Sequence, residues 1–351
     1  MTVSADTSIV PATQVVSGQT GVNLAAFRFL ETSNIDDIRV TDLNVFQLVT
    51  ATSTTKTSFG QLYLYSGATL LGTSGSANLS VATSTPGTGY YWPFHFSTPV
   101  VVPKSGSLLL TLKGDVASYS ASGISDNTTH SFRIATSNDS VNDTVPEAVV
   151  ALGNTSSATS SVTLSSASGN NMTVLRTKLT FAAAGLGNTS SRAKAPADNF
   201  ANLTFTADSA GDLSVNSVVV TFSGTAPSAT VFLDGVTLVD ENGSSLGSTN
   251  TTSSACSGGS STCTKTFNLG STTSGAVVSK GTSRTWLLRI DGSKTQTGTA
   301  NITQTLSATI NALTDIRYTT GLDSQAQTTV SLPSNVSVPI LLNSASFATG
   351  S

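Results

Sequence analysis

The sequence predicts an all-β protein made of two tandem immunoglobulin-like β-sandwich domains with extra terminal strand segments. The first observation is a repeat, because residues 100–115 return in degenerate form at 276–291, with Lys104 aligned on Lys280. The second is a series of short apolar segments separated by turn residues at regular spacing. The third is that no segment keeps a 3.6-residue apolar period with helix caps.

Composition indicates a folded chain with a surface of hydroxyl and amide groups. Ser and Thr supply 113 of the 351 residues, and charged residues only 10%, against about a quarter in an ordinary domain. Disordered chains combine low hydrophobicity with high net charge. Here the mean hydropathy is +0.12 and the formal net charge is -3, so most of the chain is expected to fold.

The same composition argues against several functional classes. With so weak a net charge, no Lys/Arg cluster is available to neutralise several phosphates, which argues against nucleic-acid binding. No apolar run approaches the roughly 20 residues of a membrane-spanning helix. Neither a signal peptide nor the apolar helix of a type IV pilin follows Met1, so an exported form is expected to be a processed or trimmed chain.

The repeat divides the chain into four predicted parts. Residues 1–181 form the first sandwich with an N-terminal arm, 182–197 the linker, 198–326 the second sandwich, and 327–351 a C-terminal β-prone tail. Glycines and a proline mark the linker. The tail has apolar residues near period two but no obvious partner strand in its own repeat.

Short β-prone segments supply the strands of both domains. In the first domain they lie at Leu24–Leu30, Ile38–Val45, a hairpin of Gln61–Tyr65 and Leu70–Gly72, Val100–Val102, Leu108–Leu112, Ser131–Ala135, Glu147–Leu152, Ser161–Leu164 and Met172–Phe181. In the second domain they lie at Asn202–Thr206, Thr230–Leu233, Val236–Val239, Phe267–Leu269, Trp286–Leu288 and Asn301–Leu313.

The densest aromatic cluster is Tyr90–Phe96. In a strand, Trp92 shares one face with Phe94 and Phe96, which is predicted to be core, and Tyr91 shares the other with His95. Pro93 indicates an edge strand or a bulge. An alternative use of Tyr91 and Trp92 is an exposed platform that stacks on sugars.

The two cysteines, Cys256 and Cys263, close a short Gly/Ser/Thr loop with no histidine nearby. This spacing favours a disulfide over a metal site, which needs four ligands. A disulfide implies an oxidising compartment. Two reduced structural thiols are the alternative.

Twelve Asn-X-Ser/Thr sequons are present, a mild excess for a chain so rich in Ser and Thr. They lie at Asn78, Asn127, Asn138, Asn142, Asn154, Asn171, Asn188, Asn202, Asn242, Asn250, Asn301 and Asn335. As glycosylation sites they would lie on the surface of a secreted protein. Sequons that arise by chance in such loops are the alternative.

Signals for catalysis are weak. The string Gly243–Gly247 fits G-x-S-x-G, but it lies in a hairpin turn, and both histidines belong to the other repeat. No phosphate-binding glycine motif occurs, and no cofactor is expected. The sequence therefore predicts a protein that is not an enzyme.

Acidic residues recur at equivalent positions of the two repeats, namely Asp36 and Asp37 against Asp212, and Asp115 against Asp291. They are interpreted either as turn-forming carboxylates or as ligands of a structural calcium ion. A second calcium candidate is the group Asp139, Asp143 and Glu147, which lies in an Asn/Asp-rich loop.

Elements such as VVVPKSGSLLLTLKGDV, SGNNMTVLRTKLTF and FTADSAGDLSVNSVVV resemble the repetitive Ser/Thr-rich cell-surface proteins of Patescibacteria-type bacteria. The resemblance spans nearly the whole chain and consists of strand-and-turn patterns. It implies export, tandem β-domains and a role at the cell surface. It transfers no functional residue.

These observations predict a non-enzymatic structural subunit of an extracellular filament or surface layer. Copies of the chain would bind one another by strand addition to an open sheet edge, with Thr2–Val16 or Gln327–Leu342 as the donor. The alternative is a monomeric adhesin or carbohydrate-binding stalk with cell-surface glycans as partners.

Overall fold

A computed structural model describes the chain at residues 1–50, 57–75, 80–84, 87–119, 123–136, 148–190, 192–193, 195–225, 235–246, 248–250, 262–270, 276–291, 304–320 and 328–347. Its regular structure is β-strand apart from a 3-10 turn at Leu313–Asp315. The all-β prediction is therefore confirmed. The chain divides into two units, unit 1 at Met1–Arg176 and unit 2 at Thr177–Ser351.

Unit 1 contains two sheets. Its strands are β1 Thr2–Ala5, β2 Thr13–Val16, β3 Val22–Leu30, β4 Ile38–Thr50, β5 Phe59–Ser66, β6 Thr69–Gly75, β7 Ser80–Ser84, β8 Gly87–Val102, β9 Ser107–Val116, β10 Thr128–Ile134, β11 Val149–Gly153, β12 Thr163–Leu164 and β13 Met172–Leu175. One sheet has the order β12-β1-β3-β9-β5-β6. The other has the order β2-β13-β10-β4-β8-β7, with β11 also paired to β4.

The two sheets of unit 1 share one apolar core. Phe27 on β3 and Leu112 on β9 belong to the same buried cluster as Trp92 on β8 and Phe132 on β10. Period-2 alternation places these side chains on the inner faces. Burial of large apolar side chains of this kind contributes roughly 1.5–3 kcal/mol each, so the paired sheets are held mainly by this cluster.

Unit 2 also contains two sheets. Its strands are β14 Leu179–Gly185, β15 Asp198–Ala207, β16 Leu213–Thr225, β17 Thr237–Val239, β18 Ser248–Asn250, β19 Thr262–Asn268, β20 Ala276–Val278, β21 Ser283–Ile290, β22 Gln304–Ile310, β23 Ile316–Thr320, β24 Thr328–Ser331 and β25 Ile340–Phe347. The smaller sheet has the order β14-β15-β21-β17. The larger has the order β18-β19-β16-β22-β25, with β20 and β23 on β16 and β24 on β23.

The sequence repeat corresponds to a structural repeat. Leu112 on β9 pairs with Ala25, and its counterpart Leu288 on β21 pairs with Ala201. The strand partners Ala25 and Ala201 are thus the same number of residues apart in the sequence as the two aligned leucines. A second pair of matching stretches, Ile35–Val45 and Ala210–Val220, covers the start of β4 and of β16. These two strands occupy the same position in their sheets, each paired with more than two strands.

The boundary between the units lies at Arg176 and Thr177, five residues before the predicted boundary at residue 181. Strand β14 pairs with β15 from Leu179 to Gly185, so residues 182–185 of the predicted linker (182–197) belong to a strand of unit 2. The glycines that suggested a linker instead mark the end of this strand. Glycines often mark the end of a regular element, and here they end a strand and do not mark a boundary between domains.

The N-terminal arm is an integral part of unit 1. Strand β1 runs antiparallel to β3, and β2 runs parallel to β13 in the opposite sheet. Between them, the side-chain amide of Asn170 donates to the backbone oxygens of Thr7 and Val10 at 2.7 and 2.8 Å. The arm therefore crosses from one sheet to the other inside its own unit.

The segment after β14 takes the same route in unit 2. The backbone N–H of Arg192 donates to the Ser346 oxygen, and the N–H of Ser346 donates to the Thr189 oxygen, both at 2.8 Å. Arg192 and Phe347 form a parallel bridge, as β2 does with β13. The predicted arm and most of the predicted linker are thus corresponding elements of the two units.

The predicted C-terminal tail (327–351) also pairs within its own unit. Strand β24 lies antiparallel to β23, and β25 pairs with β22 along its whole length, from Ile340 to Phe347. The second predicted domain at 198–326 therefore lacks strands that the structure includes in unit 2. The apolar period of the tail correctly indicated a strand, but sequence periodicity does not identify the strands with which it pairs.

Candidate functional site

The recurring acidic positions hold equivalent turns in the two units. Asp37 Oδ1 accepts the backbone N–H of Lys104 at 2.9 Å, and Asp212 Oδ1 accepts that of Lys280 at 2.7 Å. The lysines are the pair aligned by the repeat. The turn-forming interpretation is therefore the one that the geometry supports, since a carboxylate capping a turn amide needs no metal.

Other carboxylates of unit 1 also accept hydrogen bonds from backbone N–H groups. Asp36 accepts the backbone N–H groups of Ser156 and Thr155, and these bonds, Ser156 first, lower its pKa. Asp115 accepts the N–H of Gly21 and the hydroxyl of Tyr63 at 2.8 and 2.6 Å. The bond to Asp115 raises the pKa of Tyr63 to about 12, because loss of the phenolic proton would place two negative groups together.

Glu31 is the most heavily hydrogen-bonded of these acids. Its carboxylate accepts hydrogen bonds from the side-chain hydroxyl of Ser33 and from the backbone N–H groups of Ser33, Asn34 and Ser105. The Ser33 hydroxyl, followed by the Ser105 amide, lowers the pKa of Glu31 to about 2. The carboxylate thereby ties the loop after β3 to the turn before β9.

Substitution of either recurring aspartate should weaken its own unit to a similar degree. We expect Asp37→Ala to destabilise unit 1 and Asp212→Ala to destabilise unit 2, each by about 1 kcal/mol, because each loses one hydrogen bond from a turn amide. Hydrogen-exchange mass spectrometry resolves the two units separately. If only one of the two substitutions lowers the stability of its own unit, or if either destabilises the other unit instead, the equivalence of the two turns is contradicted.

The aromatic cluster is buried on both faces of β8. Trp92 is 0% exposed and Tyr91 is 2% exposed. Trp92, Phe94 and Phe96 join the main core as predicted, whereas Tyr91 packs on the opposite face with Phe46 and Ala135. The alternative of an exposed aromatic platform for sugars at Tyr91 and Trp92 is therefore wrong, because neither ring is open to a ligand.

Pro93 occupies a position that a proline tolerates. Strand β7 pairs with β8 only from Gly87 to Tyr91, so beyond Tyr91 the described partner of β8 is β4 alone, which Pro93 meets at Asn44. Strand β8 as a whole is not an edge strand, since it lies between β4 and β7 in the sheet order, but Pro93 lies beyond the described β7 pairing, where its missing N–H removes no bond to that strand.

A buried polar network crosses the core of unit 1. The indole N–H of Trp92 donates to Gln47 Oε1 at 2.7 Å, and Gln47 Nε2 lies 2.8 Å from His130 Nδ1. Gln47 Nε2 also donates to the Thr57 oxygen. On the other side of the ring, His130 Nε2 lies 2.9 Å from the Thr128 hydroxyl, which donates to the Ser125 oxygen.

These contacts define the protonation state of His130. Because the amide nitrogen Nε2 of Gln47 can only donate, His130 Nδ1 must accept and His130 Nε2 must carry the proton. The ring is 0% exposed, and burial lowers its pKa to about 3. Sequence reasoning did not find this network, because its members are far apart in the chain and carry no local motif.

In unit 2 the corresponding position is apolar. His130 pairs with Val49 on β4, and Leu306 pairs with Gly224 on β16, so the offset between these residues is that of the repeat. Leu306 is fully buried. The network is therefore a feature that distinguishes unit 1 from unit 2.

Arg192 is the buried ionic centre of unit 2. Its guanidinium donates to both carboxylate oxygens of Asp198 and to the backbone oxygens of Leu186 and Asn199. It also lies over the ring of Phe200, 5.3 Å from the centroid. With its side chain 6% exposed, Arg192 fixes the segment that had been predicted to be a linker.

The G-x-S-x-G string forms a tight turn after β17. Asp240 accepts the backbone N–H groups of Asn242 and Ser244 at 2.9 and 2.8 Å, and Gly243 has a φ of 80°. The string was predicted to lie in a turn, and it does so in its described part, which ends before Gly247.

Cys263 lies on β19 opposite Phe222 and is 5% exposed. Its predicted disulfide partner, Cys256, lies outside the described residues, and so do the calcium candidates Asp139, Asp143 and Glu147. The disulfide and the calcium loop therefore stay predictions. Within the described ranges no group of three or more His, Cys, Asp or Glu side chains is placed to hold a metal ion.

Several sequons lie where a glycan could be attached. Six have exposed asparagines in turns or loops, namely Asn127, Asn154, Asn171, Asn188, Asn242 and Asn335. Asn202 is half-buried within β15, and Asn250 lies on β18. Asn78, Asn138, Asn142 and Asn301 lie outside the described residues. Glycosylation stays a prediction.

Several edge strands are unprotected by charge. Strands β6, β14 and β25 each lie at the end of a sheet order, and their sequences TLLGTSG, LTFAAAG and ILLNSASF contain neither a charged residue nor a proline. The edge of β25 is partly covered, because the backbone of Ser346 is bonded to that of Thr189 and Arg192. Charges and prolines are the usual means by which proteins prevent edge-to-edge pairing. These edges are the candidate functional surfaces of the molecule.

In the part of the chain that the structure describes, no helix has the length and apolar character needed to cross a membrane.

Neither a known protein family nor a curated protein matches the sequence. Among solved structures, the chain is similar to the C-terminal domain of the AgI/II polypeptide BspA of Streptococcus agalactiae, at 7% identity and a TM-score of 0.22, with 99% of each chain covered. It is also similar to a putative membrane-anchored protein from Corynebacterium diphtheriae, at 10% identity and a TM-score of 0.19, with 99% of this chain and 91% of that chain covered. Likenesses at these TM-scores carry no argument about fold or function.

Proposed function

We propose that this chain is a non-enzymatic structural subunit of an extracellular assembly, a filament or a surface layer, whose copies join through their sheet edges. The observation that carries the proposal is the pair of uncharged, proline-free edge strands β6 and β14, whose outer edges have no described partner strand. An open edge of this kind presents unpaired backbone groups that accept another strand.

The use of the ionisable side chains supports the same proposal. In the described residues the recurring aspartates cap turns, Glu31 ties two loops together, and His130 lies in the core with a neutral ring. Each of these groups is explained by a structural contact. A role at the cell surface also agrees with the predicted disulfide, with the exposed sequons and with the resemblance to Patescibacteria-type surface proteins.

The two predicted donor segments need a different account. Thr2–Val16 and Gln327–Leu342 contribute strands to their own units, so donation of either segment requires it to leave its sheet and exchange with a second copy. Pairing at edges that are already open requires no such loss. The proposal therefore places the contact between copies at open edges.

Light scattering on the purified chain over a range of concentrations tests the proposal. We expect species of at least twice the mass of the chain, growing with concentration, and ordered filaments or sheets in electron micrographs. A chain that stays monomeric up to high concentration, at low and at physiological salt, would contradict the proposal. In that case a monomeric surface stalk would become the better description.

A further inference from the structure

Strand β14 and strand β1 are the same element of the two repeats. Each is the first strand of its unit, and each pairs antiparallel with the next long strand, β14 with β15 and β1 with β3. Phe181 on β14 is opposite Phe205, and Val3 on β1 is opposite Phe29. The outer edges of β1 and β14 can therefore be compared residue by residue.

The ladder shows which backbone groups of β14 point away from β15. The N–H of Leu186 donates to the Phe200 oxygen, and the N–H of Asp208 donates to the Lys178 oxygen. Residues of an antiparallel strand alternate between bonding their partner and facing away from it. The even-numbered residues of β14 therefore bond β15, and Leu179, Phe181, Ala183 and Gly185 direct their N–H and C=O groups to the outer edge.

In unit 1 the corresponding groups are occupied. The oxygens of Met1 and Val3 accept the N–H groups of Thr163 and Ser165 at 2.9 and 3.0 Å, where β12 runs parallel to β1. Among the described strands, β14 has only β15 as a ladder partner. In unit 1 the outer edge of β1 is thus covered by β12, whereas in unit 2 no described strand covers the outer edge of β14.

The side chains of β14 suit an identical strand as the partner. Thr180, Ala182 and Ala184 are exposed, small and uncharged, so two copies of the strand meet without like-charge repulsion. An antiparallel pair of identical edges is self-complementary and closes about a two-fold axis. The pairing joins the two four-stranded sheets into one continuous sheet.

We infer that the outer edge of β14 binds the same edge of a second copy, antiparallel, through the backbone groups of Phe181, Ala183 and their neighbours. This inference rests on the proposed function and names one of its contacts. A two-fold contact alone yields a dimer, so a filament or layer built on it requires a further contact elsewhere.

Ala183→Pro tests the contact. The substitution removes an N–H that faces the outer edge and puts the proline ring there, without removing a bond to β15. We expect thermal unfolding to change little and self-association, measured by sedimentation equilibrium, to weaken at least about tenfold. The matched control is Ala182→Pro, which removes an N–H of the β14–β15 ladder and should lower the unfolding temperature instead.

A second variant covers the case in which proline perturbs folding. Ala182→Lys combined with Ala184→Lys adds charges to two exposed positions, which the monomer tolerates. In the paired form these charges lie close to those of the partner strand, so the dimer should be lost at low salt and partly recovered at high salt.

The outcomes separate this inference from the proposed function. If both variants remain folded and associate as strongly as the natural chain, the β14 contact is refuted, whereas self-assembly itself stands. If the natural chain does not associate at all, the proposed function and the inference both fail. Selective loss of association in the two variants supports the inference.

Discussion

Replacement of Arg192 with methionine is expected to destabilise unit 2 by about 3–5 kcal/mol, the usual cost of removing one partner from a buried ion pair. The substitution leaves the carboxylate of Asp198, whose side chain is only 16% exposed, without its guanidinium. It also removes the donors for the Leu186 and Asn199 oxygens. Denaturant unfolding followed by hydrogen exchange in unit 2 measures the effect.

The matched control is Arg284→Met. Arg284 pairs with Glu241 at 2.9 Å, but the two side chains are 31% and 40% exposed. Exposed pairs of this kind contribute about 0–1 kcal/mol, so the control should cost little. Equal effects of the two substitutions would show that the buried pair of Arg192 and Asp198 stabilises its unit no more than the exposed pair of Arg284 and Glu241 does.

Acidification from pH 7 to pH 5 is expected to cost unit 1 about 2 kcal/mol through His130 alone. Burial lowers the pKa of His130 in the folded protein to about 3, from an ordinary value of 6.5. Between these values the unfolded state binds a proton that the folded state does not, so stability is complete above the unfolded pKa and falls as the pH decreases towards the folded one.

Fluorescence provides the measurement, because each unit has one fully buried tryptophan, Trp92 in unit 1 and Trp286 in unit 2. In a Trp286→Phe background the signal reports unit 1. We expect His130→Leu to lower the stability of unit 1 at pH 7, since Gln47 and Thr128 lose their partner. The substitution should also remove the change in stability between pH 7 and pH 5 that His130 causes. The control His95→Gln alters an exposed histidine and should retain the dependence that His130 causes.

An unchanged pH dependence in His130→Leu would contradict the assignment of a neutral, buried ring. The lowered pKa values of Glu31 and Asp36 do not interfere in this range. Their contribution is complete above the unfolded carboxyl pKa and is lost only when the pH falls towards their folded values.

Local patterns made much of the fold predictable. Period-2 alternation identified β4, and the pair Lys104 and Lys280 located the corresponding turns of the two units. The core positions of Trp92, Phe94 and Phe96 followed from the same rule. Such features depend on residues close in sequence, and a single chain displays them directly.

The errors and omissions all concern pairing between distant segments. Strands β1 and β14 are equivalent elements, but TVSA and LTFAAAG share no recognisable pattern, so one was predicted to be an arm and the other to border a linker. Burial of Tyr91 depends on Phe46, which lies on β4, and on Ala135, which directly follows β10. Contacts of this kind are set by the register of the sheets, which sequence periodicity does not specify.

Assembly through sheet edges is tested most directly by a density map of the assembled protein from electron cryomicroscopy. We expect the map to show copies joined edge to edge, with strands of one copy continuing the sheet of the next and β14 at one of these joints. Edge-to-edge assembly would be contradicted by a map in which copies touch only through loops or sheet faces. It would also be contradicted by isolated monomers that contain a cleft lined by converging ionisable side chains.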